Sequence, residues 1–339
     1  MKNEQTAKSL YGAGTEAEAE AVIAKNLEYV FRAEAYAHER KFAHLKERAE
    51  RIARALKAQT GSADIMDAVS DSYEAADIFA SMRGEKQDFS KFFGKPNLEA
   101  AYPLSENSSK LDEFYICKCI SAYDGGKYSK KDIVRWLSEA EEPAEIYAPD
   151  RKVSFVRGNG SGRAFERFAK YVPGVLAEYE EDFRRSLEAV ANGESTFAIV
   201  PIENSLDGRL NSFYRLMEKY VLSILLAADI PSDDYESSTK FALVYKKLDV
   251  IEAQGESLFE CKITLREPAE LAEIIDAASY FGAEVCKVHS LPLSSGGREN
   301  SFDIIFGIDK ADIAGLFAYL MLKYPHLSPI GIYTLMEDW

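Results

Sequence analysis

From residue 151 onward the chain alternates short apolar runs with helical stretches, and no other feature restricts its fold as strongly. The runs at 153–156, 196–200, 221–228 and 241–245 read as strands, with helical patterns at 162–171, 182–191 and 209–219 between them. Such alternation predicts an α/β sheet with helices packed on it. A cleaner order follows: strand 259–265, helix 268–281, strand 284–291, a Ser-Ser-Gly-Gly-Arg-Glu-Asn turn, strand 301–308, helix 310–323 and a last strand at 328–335. The order βαββαβ is that of a ferredoxin-like module.

The first 140 residues read differently. From Glu16 to Lys57 there is no Pro or Gly, and Ala, Glu, Lys and Arg dominate, which predicts a long helix. Phe42, Leu45, Ala49, Ile52 and Leu56 form one apolar stripe along it. Gly61 is placed to stop that helix and Ser62 to cap the next, over 64–82; shorter helices are expected at 109–122 and 129–141, the latter capped by Ser129. Pro143 and Pro149 mark a linker. The chain therefore divides into a helical region at 1–146, an α/β lobe at 151–250 and a βαββαβ unit at 257–339.

A composition of 47% hydrophobic and 29% charged residues is that of a soluble globular protein, and nothing approaches the roughly 20 apolar residues of a membrane span. The polar, acidic N-terminus lacks the apolar core of a signal peptide, so a cytoplasmic location is expected. Cys117, Cys119, Cys261 and Cys286 are few and show no CxxC spacing, which agrees with a reducing compartment, and a packing role is expected for the Cys117-Lys-Cys119 pair. A net charge of -15 disfavours nucleic acid as a partner, while leaving an anionic small molecule open where basic groups are focused locally. No metal site and no cofactor is expected: His38 and His44 lie on different faces of their helix, and the Glu34/His38 spacing fits a surface ion pair.

The chemistry concentrates in Ile-Val-Pro-Ile-Glu-Asn-Ser-Leu-Asp-Gly-Arg-Leu-Asn, residues 199–211. Here a strand runs into Asn204 and Ser205 and then, by pattern, into a helix opening near Asp207 or Gly208. The crevice outside the carboxyl end of such a strand is where α/β sheets bind ligands, and helix N–H groups there suit a carboxylate. The same residues are also favoured helix caps, and on chemistry alone both readings stand.

The order of residues in Val200–Asn211 resembles the signature of prephenate dehydratases. Phe155–Arg163 resembles that family's first strand and Gly-rich turn, with Arg157-Gly158 for Gly-Pro and Gly162 for an aromatic; Ser238–Phe241 resembles its Thr-Arg-Phe motif, with Lys240 for Arg. The βαββαβ unit is similar to the ACT regulatory domain. It departs from that pattern at Glu267-Pro268-Ala269-Glu270-Leu271 and at His289-Ser290-Leu291-Pro292. The resemblance implies a periplasmic-binding-protein-like lobe and loss of carbon dioxide and hydroxide from prephenate, a dicarboxylate, to give phenylpyruvate for phenylalanine synthesis. It places Thr239 near the leaving group, Asn204, Ser205, Gly160 and Ser161 on the substrate, and Lys240 behind Phe241. It also implies an amino-acid effector at the ACT-like unit and a homodimer.

The family's second lobe is inserted between the strand after the Glu-Asn-Ser helix and the Thr-Arg-Phe strand. Here only about ten residues separate the two. Three functions stand open: a dehydratase relative, closed by the N-terminal helices or another subunit; a non-catalytic carboxylate- or amino-acid-binding regulatory protein; or, since some prephenate dehydratases carry a fused helical chorismate mutase, that activity in the helical region. Arg40, Arg48, Arg51 and Lys57 could supply its charge, while a solvated helix face is the plainer role for them.

Overall fold

The computed structural model describes residues 16–58, 107–125, 128–137, 146, 150–233, 236–265, 267, 269–291, 300–324 and 327–337. Gly61, Ser62, the helix expected at 64–82, Pro143, Pro149, Pro268 and the Ser-Ser-Gly-Gly-Arg-Glu-Asn turn except Asn300 lie outside these residues.

Among the described residues three helices come first: α1 (Glu16–Lys57), α2 (Asn107–Ala122) and α3 (Lys130–Leu137). The start of α3 is a reciprocal cap: the Asp132 amide donates to Ser129 Oγ, and the Ser129 amide donates to Asp132 Oδ2 at 2.8 Å. There follow β1 (Lys152–Val156), α4 (Asn159–Phe168), β2 (Leu176–Glu180), α5 (Phe183–Asn192), β3 (Phe197–Asn204), β4 (Gly208–Arg209), α6 (Asn211–Tyr220), β5 (Ser223–Pro231) and β6 (Ser238–Tyr245). The remainder is β7 (Gly255–Leu265), α7 (Ala269–Tyr280), β8 (Glu284–Ser290), β9 (Asn300–Gly307), α8 (Ile313–Lys323) and β10 (Ser328–Met336).

All the described strands join one ten-stranded mixed sheet, in the order β2-β1-β3-β6-β5-β10-β7-β9-β8, with β4 turned back onto β3. β1 runs parallel to β2 and to β3, and β6 lies antiparallel between β3 and β5. The last four strands form an antiparallel ladder. A parallel pairing of β5 with β10, Ile224 opposite Gly331, carries the sheet from one half of the molecule to the other.

Strand alternation sends each core to its own face. Phe197, Ile199, Leu226, Phe241 and Leu243 pack with Ala164 and Phe168 of α4. Ala198, Val200, Ala227, Ala242 and Val244 pack on the other face with Leu187 and Val190 of α5 and Met217 of α6; Leu258, Ile305 and Tyr333 of the C-terminal strands join that second cluster. Thus α5 and α6 cover part of the antiparallel half as well.

The opposite face of the antiparallel half packs on α7 and α8, and the N-terminal helices add a further layer there. Leu45, Ala49, Ile52 and Leu56 of α1 and Phe114, Cys117 and Ile120 of α2 share a core with Phe281 and Phe317. Asp312 pins this contact, accepting from Ser121 Oγ at 2.8 Å and pairing with Lys118 at 2.7 Å, while its other oxygen accepts from the Gly315 amide at the start of α8. The described N-terminal helices therefore share the core of α7 and α8, not the cores in which β3 and β6 are packed. The side chains of Phe42, Glu34, His38 and His44 are outside the described set. Cys117 and Cys261 are buried, and burial pushes both thiols above their ordinary range.

Among the described residues no helix is long and apolar enough to cross a membrane, and no group of His, Cys, Asp and Glu could hold a metal ion.

Candidate functional site

Pro201 has no amide hydrogen, and the β3–β6 ladder slips just past it, between Pro201 and Glu203. Before the slip, the even-numbered β3 residues Ala198 and Val200 face α5 and α6. After it, Asn204 lies opposite Thr239 and Glu203 opposite Lys240. The bulge thus turns Asn204 to the face of Thr239 and Phe241, which period-two counting along β3 would deny it.

The helix expected from Asp207 or Gly208 begins only at Asn211, and its N-cap Leu210 makes no side-chain cap. Residues 205–207 form a tight turn, and Gly208–Arg209 pairs back on β3. Gly208 supplies the positive φ, +73°, that the hairpin requires. The Asn204 side-chain oxygen Oδ1 holds the turn, accepting from the Leu206 amide at 2.9 Å and the Asp207 amide at 3.4 Å. Asn204 is thus a turn-former rather than a helix cap, because Glu203–Arg209 is consumed in strand pairing.

Asn204 Nδ2 donates to Thr239 Oγ1 at 3.0 Å. Ser205 and Ser238 are joined twice: the Ser205 amide donates to the Ser238 carbonyl, and the Ser238 amide donates to Ser205 Oγ, both at 2.9 Å. Each hydroxyl therefore already accepts from the protein. That leaves the hydroxyl protons of Thr239 and Ser205, and the second amide hydrogen of Asn204, to point elsewhere. The edge of this site is a row of donors.

The N-terminus of α4 closes one side. Gly158 is its N-cap and offers no side chain, while Ser161 Oγ is turned back onto the carbonyls of Val156 and Gly158. The N-cap therefore gives the first-turn amides no side-chain acceptor, which favours an anion. A Cβ on Gly160 would stand 3.2 Å from the Phe241 ring, two residues along the strand from Thr239. Gly160→Val is expected to cost about 1–3 kcal/mol of stability through that crowding; a shift of the urea midpoint measures it. Arg163 fixes the far rim, donating to the Pro231 carbonyl at 2.6 Å and pairing with Asp233.

Of the residues expected to meet a ligand, Asn204, Ser205, Thr239 and Gly160 converge here, with Phe241 beneath them. Ser161 is buried, its hydroxyl bonded to backbone. Lys240 lies on the opposite face, between Glu203 at 3.4 Å and Asp229 at 4.0 Å, so its ammonium is not among the donors. The connection from β5 to β6 spans residues 232–237, and no lobe is inserted there.

Behind the turn lies a charged cluster that the sequence reading missed. Glu203 pairs with Lys240 and, at 2.5 Å, with Lys287 of β8. Its register partner Arg209 pairs with Glu260 of β7 at 3.5 Å and with Asp303 of β9, and its guanidinium lies 3.4 Å from the centroid of the Tyr214 ring. The signal was present: Glu260 and Asp303 interrupt the apolar runs Phe259–Cys261 and Phe302–Ile304, where a charge is rarely buried without a partner. Burial pushes Glu260 above its ordinary range, against the pull of Arg209 and the hydroxyls of Tyr333 and Tyr214. Burial also raises Glu203, but Lys287 and Lys240 outweigh it and hold that carboxyl below its ordinary value.

A lowered carboxylate stabilises the fold above its unfolded value, about 4.3, and that contribution is lost as pH falls through the folded value. Glu203→Gln is therefore expected to flatten the decline of the urea midpoint below about pH 4.3, by about 1 kcal/mol at most.

The prephenate dehydratase family model matches residues 161–286, from the first turn of α4 into β8. No curated protein matches the chain. Among solved structures, prephenate dehydratase from Streptococcus mutans is 20% identical with a TM-score of 0.47, covering 55% of this chain and 100% of its own. Prephenate dehydratase in complex with L-Phe from Arthrobacter aurescens is 18% identical with a TM-score of 0.43, over 54% of this chain and 90% of its own. GqqA, described as a novel type of quorum quenching acylase, is 17% identical with a TM-score of 0.43, over 54% and 95%.

Proposed function

We propose that this chain is a prephenate dehydratase-like protein whose Asn204–Thr239 site binds a dicarboxylate of the prephenate type and promotes loss of carbon dioxide and hydroxide. The observation that carries the reading is the hydrogen bond from Asn204 to Thr239 at the strand ends, within the stretch matched by the family model. Because Asn204 donates to Thr239, the threonine hydroxyl keeps its own proton for the departing hydroxyl group. Decarboxylation supplies the electrons that restore the aromatic ring, so the reaction asks the protein mainly for orientation and a donor at the leaving oxygen. The open amides of α4, with Ser205, would take a substrate carboxylate.

A second reading, ligand binding without turnover, is favoured by one observation: the β5–β6 connection of residues 232–237 supplies no second wall to exclude water. The mutase reading has less support. Among the described residues, Arg48 lines a cavity between α1, α2 and α8 of about 30 Å³, room for one or two waters rather than a dicarboxylate. The βαββαβ unit is proposed as an ACT-like regulatory domain with an amino-acid effector, and the protein as a cytoplasmic homodimer.

Purified protein incubated with prephenate, with phenylpyruvate followed by its absorbance in alkali, tests the reading. Turnover above a Thr239→Ala control supports dehydration. Saturable binding without turnover moves the function to the second reading, and consumption of chorismate in a parallel incubation would revive the third.

A further inference from the structure

The chain from Glu203 to Arg209 presents the donors of the proposed site, yet β4 holds only two residues and pairs with β3 alone. A ribbon that short does not define its own geometry in water. Its two paired residues, Glu203 and Arg209, instead send their side chains away from Thr239, onto the outer face of the antiparallel half. There Glu203 meets Lys287 on β8, and Arg209 meets Glu260 on β7 and Asp303 on β9. The side chains of Glu260 and Asp303 have no exposed surface, and the Arg209 side chain retains 7%. Tyr333 of β10 donates to Glu260 Oε2 at 2.9 Å, and Tyr214 of α6 stacks on the guanidinium.

We propose, building on the Asn204–Thr239 reading, that Arg209 is a positioning residue: seated between Glu260 and Asp303, it clamps the Glu203–Arg209 hairpin to the C-terminal sheet and so aims Asn204 at Thr239. The C-terminal unit is then part of the frame of the site. The clamp has a defined chemistry. Two buried carboxylates demand a cation, and the planar fork of arginine reaches both at once, which lysine's single ammonium does not. Removing the cation alone would strand both acids and threaten the fold. Neutralising all three groups removes the clamp without leaving a buried charge.

The test uses the full chain and the triple variant Arg209→Met, Glu260→Gln, Asp303→Asn, with Arg209→Lys beside it. Amide hydrogen exchange is read by NMR at Ser205, which donates to Ser238, and at Leu210, which donates to Ile202. Phe259 and Phe306, in the core of the C-terminal sheet, serve as the reference. The triple variant is expected to exchange at Ser205 and Leu210 at least tenfold faster with the two phenylalanines still protected, and the Asn204 side-chain amide resonances are expected to move. Unchanged protection at Ser205 and Leu210 in a folded triple variant overturns the proposal. If that variant does not fold, Arg209→Lys decides: faster local exchange supports the clamp, equal exchange refutes it. Prephenate affinity, expected to weaken at least tenfold in the triple variant, is a separate arm. Wild type that binds no prephenate refutes the functional reading, while the exchange result still judges the clamp.

Discussion

Gly331→Ala is expected to lower stability by about 3 kcal/mol or more, because a Cβ there would stand 2.5 Å from the backbone carbonyl oxygen of Ile224. The obstacle is main chain in the neighbouring strand, which cannot rotate aside as a side chain can. Gly331 and Ile224 are paired across the β5–β10 junction, so relief requires parting the two halves of the sheet at their seam. Gly162→Ala is the matched control: nothing lies within 4 Å of its Cβ position, and alanine inside α4 is expected to be neutral or stabilising by up to about 1 kcal/mol. Urea midpoints for both variants against wild type measure the contrast. A Gly331→Ala midpoint equal to that of wild type would mean that β5 and β10 are not held in this register.

The second large effect belongs to Thr239. With the dehydration reading, Thr239→Ala is expected to reduce kcat by roughly 10²–10⁴-fold with a much smaller change in KM, since the hydroxyl serves the leaving group more than the ground state. Asn204→Ala should act on both constants: it removes a ligand donor and also the acceptor that holds the Leu206 and Asp207 amides. Initial rates over a range of prephenate concentrations separate the two patterns. Equal losses in kcat for Thr239→Ala and Ser205→Ala would argue that Thr239 has no special place at the reacting bond.

Much of this architecture could be read locally. The apolar runs that became β1, β3, β5 and β6 are buried on both faces, so their composition announced them, and the later βαββαβ order follows the observed elements within a few residues. β2 escaped because Leu176–Glu180 is an edge strand: Leu176 and Tyr179 are exposed, and the segment holds two glutamates. β4 escaped because Asp-Gly reads equally as a helix start or a hairpin turn, and only the pairing with β3 decides. The β5–β10 ladder joins residues about a hundred positions apart, which no local pattern encodes.

The site was legible in its parts and not in its orientation. Asn204, Ser205 and Thr239 were recognisable by type and order, but the bulge that sets Asn204 beside Thr239 is a property of two strands together. The opposite placement of Lys240 was available from the sequence, because neighbours in a strand face opposite ways. Ser161 misled because a serine in a helix's first turn can serve a ligand or its own backbone, and here its hydroxyl takes the latter course.

Calorimetric titration of prephenate into the wild-type chain and into Asn204→Ala tests the Asn204–Thr239 edge as an anion site most directly. Saturable one-to-one binding to wild type, weakened about tenfold or more in the folded variant, is the predicted result. No measurable binding to wild type, or equal affinity in both proteins, would contradict it.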